Sequence, residues 1–204
     1  MALLTESQAE QVADAISKVE QKTDAELVTV LAYQADSYHY IPTLWAALLA
    51  LVSPGVIMFT PFWLDVKEVV LVQLIVFLVG AVILRVPPVM RRIIPGRIKR
   101  WRASNLARRQ FLENNLHHTA GETGVLIFVA ETERYVEIIA DRGISRHVAD
   151  SEWQDIVDEF TLRVRAGQTL DGFLVAVERC GALLAQHVPA TAEKNELPNH
   201  MIIV

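Results

Sequence analysis

Cysteine is almost missing from these 204 residues: Cys180 is the only one, so no intrachain disulfide can form. The short patterns that announce common chemistry are missing too. The chain has no His-Glu-x-x-His, no Cys-x-x-Cys, no Gly-x-Ser-x-Gly elbow and no Gly-x-x-x-x-Gly-Lys-Ser/Thr phosphate loop. Met1 to Glu20 is polar and acidic and lacks the apolar core of a cleavable signal peptide. The most telling shortage is one of charge. Of the chain's charged residues only four, Asp65, Lys67, Glu68 and Arg85, fall in 41–86. The other 158 residues carry 39 charges, close to a quarter, as in an ordinary soluble domain. This distribution excludes a disordered chain, a disulfide scaffold and a polytopic transporter. It leaves a soluble domain with a membrane insert.

The insert reads as two spans. Ile41 to Leu64 holds no charge over 24 residues, and Val69 to Leu84 holds none over 16. A spanning helix needs about 20 apolar residues. Phe62, Trp63 and Leu64 then Asp65 to Glu68 make a short polar turn rimmed by interfacial aromatics. Pro54-Gly55 inside the first span is tolerated in a membrane helix. A hairpin with so short a turn puts both chain ends on one side.

Basic residues give the orientation. Nine (Arg85, Arg91, Arg92, Arg97, Lys99, Arg100, Arg102, Arg108, Arg109) lie between 85 and 109 with no acidic residue among them, against Lys67 alone in the turn. The asymmetry predicts two spans in the inner (cytoplasmic) membrane with both termini cytoplasmic. Outside this collar 10 basic residues face 24 acidic ones, so the chain is polarised. Anionic lipid head groups and the bilayer are the partners this position favours, ahead of nucleic acid. Val89-Met90 and Ile93-Ile94 alternate with Arg91-Arg92, as in a segment lying in the interface, between breaks at Pro87-Pro88 and Pro95-Gly96.

The rest is one domain in two pieces. Thr5-Glu6-Ser7-Gln8 has capping-box spacing, and Ala9, Val12, Ile16 and Val19 follow at helical intervals to Lys22. Ala25 to Tyr33 is a short, β-branched, buried strand. Beyond the collar, Trp101 to Leu116 reads as a helix. Gly124 to Ala130 and Tyr135 to Ala140 read as a strand hairpin closed by Asp141-Arg142-Gly143. Two helices follow, with Trp153, Ile156, Val157, Phe160 and Val164 on one and Phe173, Val177, Cys180 and Leu184 on the other. The tail from Pro189 reads as loose. The predicted class is α/β: an α/β/α sandwich around a small mixed sheet, interrupted by a two-helix transmembrane hairpin. The boundaries are 1–40 and 101–188 for the domain, 41–86 for the hairpin, 87–100 for the basic linker and 189–204 for a flexible tail.

Thr23-Asp24-Ala25-Glu26-Leu27-Val28-Thr29-Val30, Gly124-Val125-Leu126-Ile127-Phe128-Val129-Ala130 and Arg134-Tyr135-Val136-Glu137-Ile138-Ile139-Ala140-Asp141-Arg142-Gly143-Ile144, in this order, resemble the TPM-domain family. The similarity covers residues 5–36 and 101–187, and the final helices, with Ala166-Gly167 and Asp171-Gly172, are also similar. The resemblance implies an α/β/α sandwich. It also implies a divalent-metal phosphatase, because some members are described as acid phosphatases with acidic metal ligands at one sheet end. On that basis Asp141 and Asp36 are the metal candidates for calcium, magnesium or manganese, and Arg142 is the phosphate candidate. The chain departs from the family in two places. Met1-Ala2-Leu3-Leu4 offers no Asp before the first helix, and the hairpin replaces the loop after the first strand.

Bland readings stand beside these. Asp before Arg-Gly satisfies backbone donors in turns, and Asp36 sits in a solvated loop. Arg142 is equally suited to an ion pair. Adjacent His117 and His118 point apart on a helix and share no metal. Cys180 lies on an apolar stripe. Glu152, Asp155, Asp158 and Glu159 make an acidic face in which Asp155 and Glu159 have repulsive spacing. With no catalytic residue assignable, the expected function is a membrane-anchored interaction or assembly module with a membrane or membrane-associated protein partner. A phosphatase is the alternative.

Overall fold

The computed structural model describes residues 4–61, 63–119, 121–191, 197 and 201–204; the side chain of Arg91, and Phe62 of the predicted turn, lie outside that set. The chain forms two compact units, Met1–Ala35 with Arg100–Val204, and Asp36–Lys99.

In the first unit, helix α1 (Glu6–Glu20) starts with the expected capping box. Gln8 N–H donates to Thr5 Oγ1 at 3.3 Å, and Thr5 N–H donates to Gln8 Oε1 at 2.9 Å. Its Val12, Ile16 and Val19 are buried. Strand β1 (Glu26–Ala32) follows, and after the second unit come helix α5 (Gly96–Glu113) and a 3-10 turn at Leu116–His118. Strands β2 (Gly124–Ala130) and β3 (Tyr135–Ala140) then lead through α6 (Arg142–Ser145) to helices α7 (Asp150–Arg165) and α8 (Thr169–His187). A last strand, β4, spans Met201–Ile203.

The sheet order is β3-β2-β1-β4. β1 runs parallel to β2 from Glu26 opposite Gly124 to Ala32 opposite Ala130, β2 and β3 are antiparallel, and β4 is parallel to β1. Every residue of β1 and β2 is buried, which is why both read as near-continuous apolar runs. One face carries Leu27, Leu31, Val125 and Ile127 against Val12 and Ile16 of α1, Phe160 of α7, and Phe173, Val177 and Cys180 of α8. The other carries Val28, Val30, Leu126 and Phe128 against Ala103, Ala107 and Phe111 of α5. This is the expected α/β/α sandwich. Packing is close enough that a Cβ on Gly181 would fall 2.5 Å from Val19 Cγ2.

Three details differ from the sequence reading. α5 begins at Gly96, five residues before the predicted start, because the Pro95 carbonyl accepts from Ile98 and Lys99 N–H and launches the helix at the predicted break. Asp141-Arg142-Gly143 opens a one-turn helix. The tail expected to be loose contains β4, whose main-chain groups pair with β1; residues 192–196 and 198–200 of that tail lie outside the described set.

In the second unit, helices α2 (Tyr40–Ile57) and α3 (Val66–Ile83) pack as a hairpin. Arg85 donates to Thr43 Oγ1 at 3.4 Å, placing the start of α2 by the end of α3. Ala46 and Ala50, buried on α2, form the contact stripe, and a Cβ on Gly80 would sit 3.4 Å from Ala46 Cβ. Both helices are long and apolar enough to cross a membrane. No described residue of α3 is buried, and Leu44, Leu48, Leu51, Leu71, Leu74 and Leu78 are all exposed. Glu68 caps the start of α3, its Oε2 accepting from Asp65 N–H at 2.8 Å. Helix α4 (Pro87–Ile93) begins with two prolines, where the missing N–H costs nothing. Its apolar residues were expected to lie in a lipid interface. Of these, Met90 and Ile93 pack with buried Ile94 against Tyr38 and Ile41.

Candidate functional site

The sequence candidates gather, as far as they do, at the sheet end where β1 and β2 begin. There Ala140, the last residue of β3, pairs with Val125. Asp141 N–H donates to Gly124 C=O at 2.9 Å, and the chain turns into α6 against residues 121–123. Gly143 N–H donates to Glu122 C=O at 2.9 Å, and a Cβ there would lie 2.3 Å from the Gly121 carbonyl oxygen. A Cβ on Gly124 would lie 2.2 Å from Leu116 O. Both glycines are thus required by backbone approaching backbone. Thr123 ties the loop to the start of β1: its N–H donates to Thr119 Oγ1 at 2.8 Å, its hydroxyl to Asp24 C=O at 3.2 Å, and its C=O accepts from Glu26 N–H at 3.2 Å.

Asp141 is the N-cap of α6, its Oδ1 accepting from Arg142 N–H at 2.8 Å. That is the turn role. Its Oδ2 is enclosed and has no hydrogen-bond partner among the described residues. Arg142 is exposed and makes no ion pair among them. Asp36 follows β1 from the strand's other end, falls in the second unit, and accepts from Tyr38 N–H at 3.4 Å. The structure therefore brings Asp141 and Arg142 together as neighbours and does not add Asp36 to them. Among the described residues no three His, Cys, Asp or Glu gather so as to hold a metal. Calcium takes six to eight oxygens and magnesium a near-ideal octahedron, so a single carboxylate with one vacant oxygen does not fit such an ion.

The rings of His117 and His118 do not diverge as on a helix. α5 has ended, Asn115 takes a left-handed φ of 57°, and in the 3-10 turn the two rings lie 4.0 Å apart. Cys180 is core, and burial pushes its thiol up to about 12, which leaves it inert. In the acidic face, Glu159 is relieved by Arg163 at 2.9 Å and Arg179 at 2.6 Å. Those hydrogen bonds hold its carboxyl below the usual range. Glu152 accepts from Ala149 N–H at 3.1 Å, capping α7.

Two acidic groups at the start of β1 were not singled out from the sequence. Glu26 is 3% exposed inside a seven-residue apolar strand. Glu20, at the end of α1, accepts from Leu27 N–H at 2.9 Å. Burial pushes its carboxyl up to about 7, the Leu27 hydrogen bond pulls it back, and the Glu26 charge adds to the rise. The signal for Glu26 was an acid within a β-branched run. Nothing local marks Glu20, which acts seven residues away.

Comparison with known proteins fits this architecture. Residues 94–183 match the TPM-domain family. A TPM domain is found at residues 94–183. The match takes in α5, β2, β3, α6, α7 and most of α8, whereas α1 and β1 of the same compact unit precede it. The fold is also similar to the solved NMR structure of the BA42 protein from the psychrophilic bacterium Bizionia argentinensis. The TM-score is 0.61 at 19% identity, over 100% of this chain and 97% of that one. No curated protein matched the chain. The compact unit that holds the match therefore draws elements from both sides of the hairpin, and the hairpin occupies the crossover between parallel strands β1 and β2.

Proposed function

We propose that this is an integral membrane protein that holds its TPM domain at the cytoplasmic face of the inner membrane as an interaction or assembly module. The observation that carries it is α3: 18 residues, apolar enough to span, and without one buried residue. In water such a surface far exceeds the apolar patches that monomers tolerate. In a bilayer it needs no cover. Trp63 at the turn, fully exposed, suits the aromatic belt. The basic residues after α3 face anionic head groups, each contributing about 1 kcal/mol near the surface. A partner at the membrane is the remaining element. Protein solubilised gently from its native membrane should carry a partner at stoichiometric level. Purification that repeatedly yields the chain alone overturns the module reading.

A second reading, a divalent-metal-dependent phosphatase, has one observation behind it, the enclosed, unpartnered Oδ2 of Asp141, and it requires further ligands that the described residues do not gather there. A soluble form with 41–86 replaced by a short Gly/Ser loop can be assayed on an aryl phosphate with calcium, magnesium and manganese in turn. On this reading Asp141→Ala abolishes any hydrolysis; an unchanged rate removes Asp141 from the site.

A further inference from the structure

The outer side of β1 is covered by the chain itself, and thinly. β2 pairs with β1 along seven positions, β4 along three. Thr29 stands beside Met201, Val30 beside Ile202 and Leu31 beside Ile203. Val204 N–H donates to Leu31 C=O at 3.0 Å and Tyr33 N–H to Val204 C=O at 2.9 Å. One step earlier along the edge, Leu27 N–H is held by the Glu20 side chain at 2.9 Å rather than by a strand. Of the four covering residues only Met201 is buried; Ile203 is 56% exposed and Val204 49%.

We propose that the edge Thr29–Tyr33 is a binding groove for an extended, largely apolar segment of a partner protein, added as a parallel strand, with residues 201–204 as its displaceable occupant. This rests on the interaction-module reading and names the module's site. The occupant in place shows the chemistry the groove accepts. The first position enters the core cluster on the side of α1, as Met201 does, and the second meets the α5 side, as Ile202 does. The third and fourth are about half exposed, as Ile203 and Val204 are, and constrain the side chain less.

The internal occupant fits imperfectly. Thr29 is wholly buried, and its hydroxyl has no hydrogen-bond partner among the described residues, with the thioether Met201 as its cross-strand neighbour. A buried hydroxyl left unmatched is destabilising. A partner strand with Ser or Thr at that position removes the deficit. A longer strand also continues toward Leu27, taking the N–H that Glu20 now holds. Open sheet edges recruit extended peptides through main-chain bonds, with alternate side chains giving specificity. An edge left bare is an aggregation hazard, which a short internal strand suppresses until a better one arrives.

The test uses the full chain in detergent, the same chain lacking residues 201–204, and a fluorescent peptide reproducing residues 197–204, read by anisotropy. The shortened chain should bind the peptide saturably, and the intact chain about tenfold more weakly, because its groove is occupied most of the time. The peptide with Met201→Thr should bind about threefold more tightly, and the one with Ile202→Asp should not bind. Absence of saturable binding, equal affinity for the two chains, or equal binding of the three peptides overturns the groove. Dimers formed through residues 201–204 without peptide binding would also overturn it, assigning the edge to a second copy. Hydrogen exchange on the intact chain guards against a shortened chain that misfolds. The Tyr33 and Val204 amides should exchange about tenfold or more faster than those of β2, whereas rates as slow as those of β2 mark a fixed strand and overturn displacement. The peptide readout needs no native partner. Its failure removes the groove while the co-purification experiment still decides the module reading.

Discussion

Glu20 holds its carboxyl where α1 ends and β1 begins, accepting from Leu27 N–H with Glu26 nearby. Burial there disfavours the charged form, so the folded state takes up a proton at about pH 7, whereas an unfolded Glu titrates near 4.5. Between these values the native chain holds more protons than the unfolded one, so the unfolding free energy decreases as pH rises. The stabilising contribution is complete below about pH 4.5 and is lost as the pH passes 7. Glu20→Gln keeps an oxygen for Leu27 N–H and removes the charge. Urea unfolding from pH 4.5 to 8 should show the wild type losing stability across that window. The variant should lack that component and be the more stable of the two above pH 7. Parallel pH profiles would show that Glu20 does not titrate as its burial requires.

At the scale of elements, close helix contact in the hairpin depends on Gly80. Ala46 Cβ lies 3.4 Å from where a Gly80 Cβ would stand, and association in lipid relies on such small residues because apolar burial gives little drive there. Gly80 is thus a packing position within the hairpin. Gly80→Ile should push α2 and α3 apart and lower stability by about 1–3 kcal/mol, the usual range for overpacking. Gly55→Ala is the control, since nothing lies within 4 Å of its Cβ position. Thermal unfolding in detergent should separate the two variants by several degrees, and coincident midpoints would show that Gly80 is not a packing position. The elements legible in the sequence were those whose signal is local and long. α1 announced itself through Thr5, Gln8 and three apolar residues on one stripe, and β1 and β2 through seven-residue runs buried on both faces. β4 was hidden because three apolar residues carry no period, and their pairing with Thr29–Leu31 spans most of the chain. The site was legible in the same proportion. Asp141 showed its local capping role, whereas the reach of Glu20 to Leu27 depends on how two elements pack.

At the scale of the molecule, the hairpin sits in a crossover. Parallel β1 and β2 require a long connection, α5 provides it, and the hairpin and α4 are inserted between β1 and α5. An insertion there leaves both core clusters of the first unit complete, since neither draws a residue from α2 or α3. The domain's two pieces, on either side of the hairpin, must meet in one compartment to form a single sheet, and the proposed pair of spans meets that requirement. On the membrane reading proposed above, charge selects the compartment. Nine basic residues between 85 and 109 against Lys67 in the turn favour retaining the domain in the cytoplasm, because translocating short basic segments is opposed. A reporter that is active only in the cytoplasm should give full signal when fused after Val204 and when fused before Met1. One inserted in the turn next to Asp65 should give none. Replacing Arg85, Arg92, Arg97, Lys99 and Arg100 with Gln removes most of the asymmetry without altering either span, and should produce a mixed orientation at the same expression level. A reporter after Val204 that stays silent in the unaltered, well-expressed chain would reverse the topology and remove the anionic-lipid role of the collar with it.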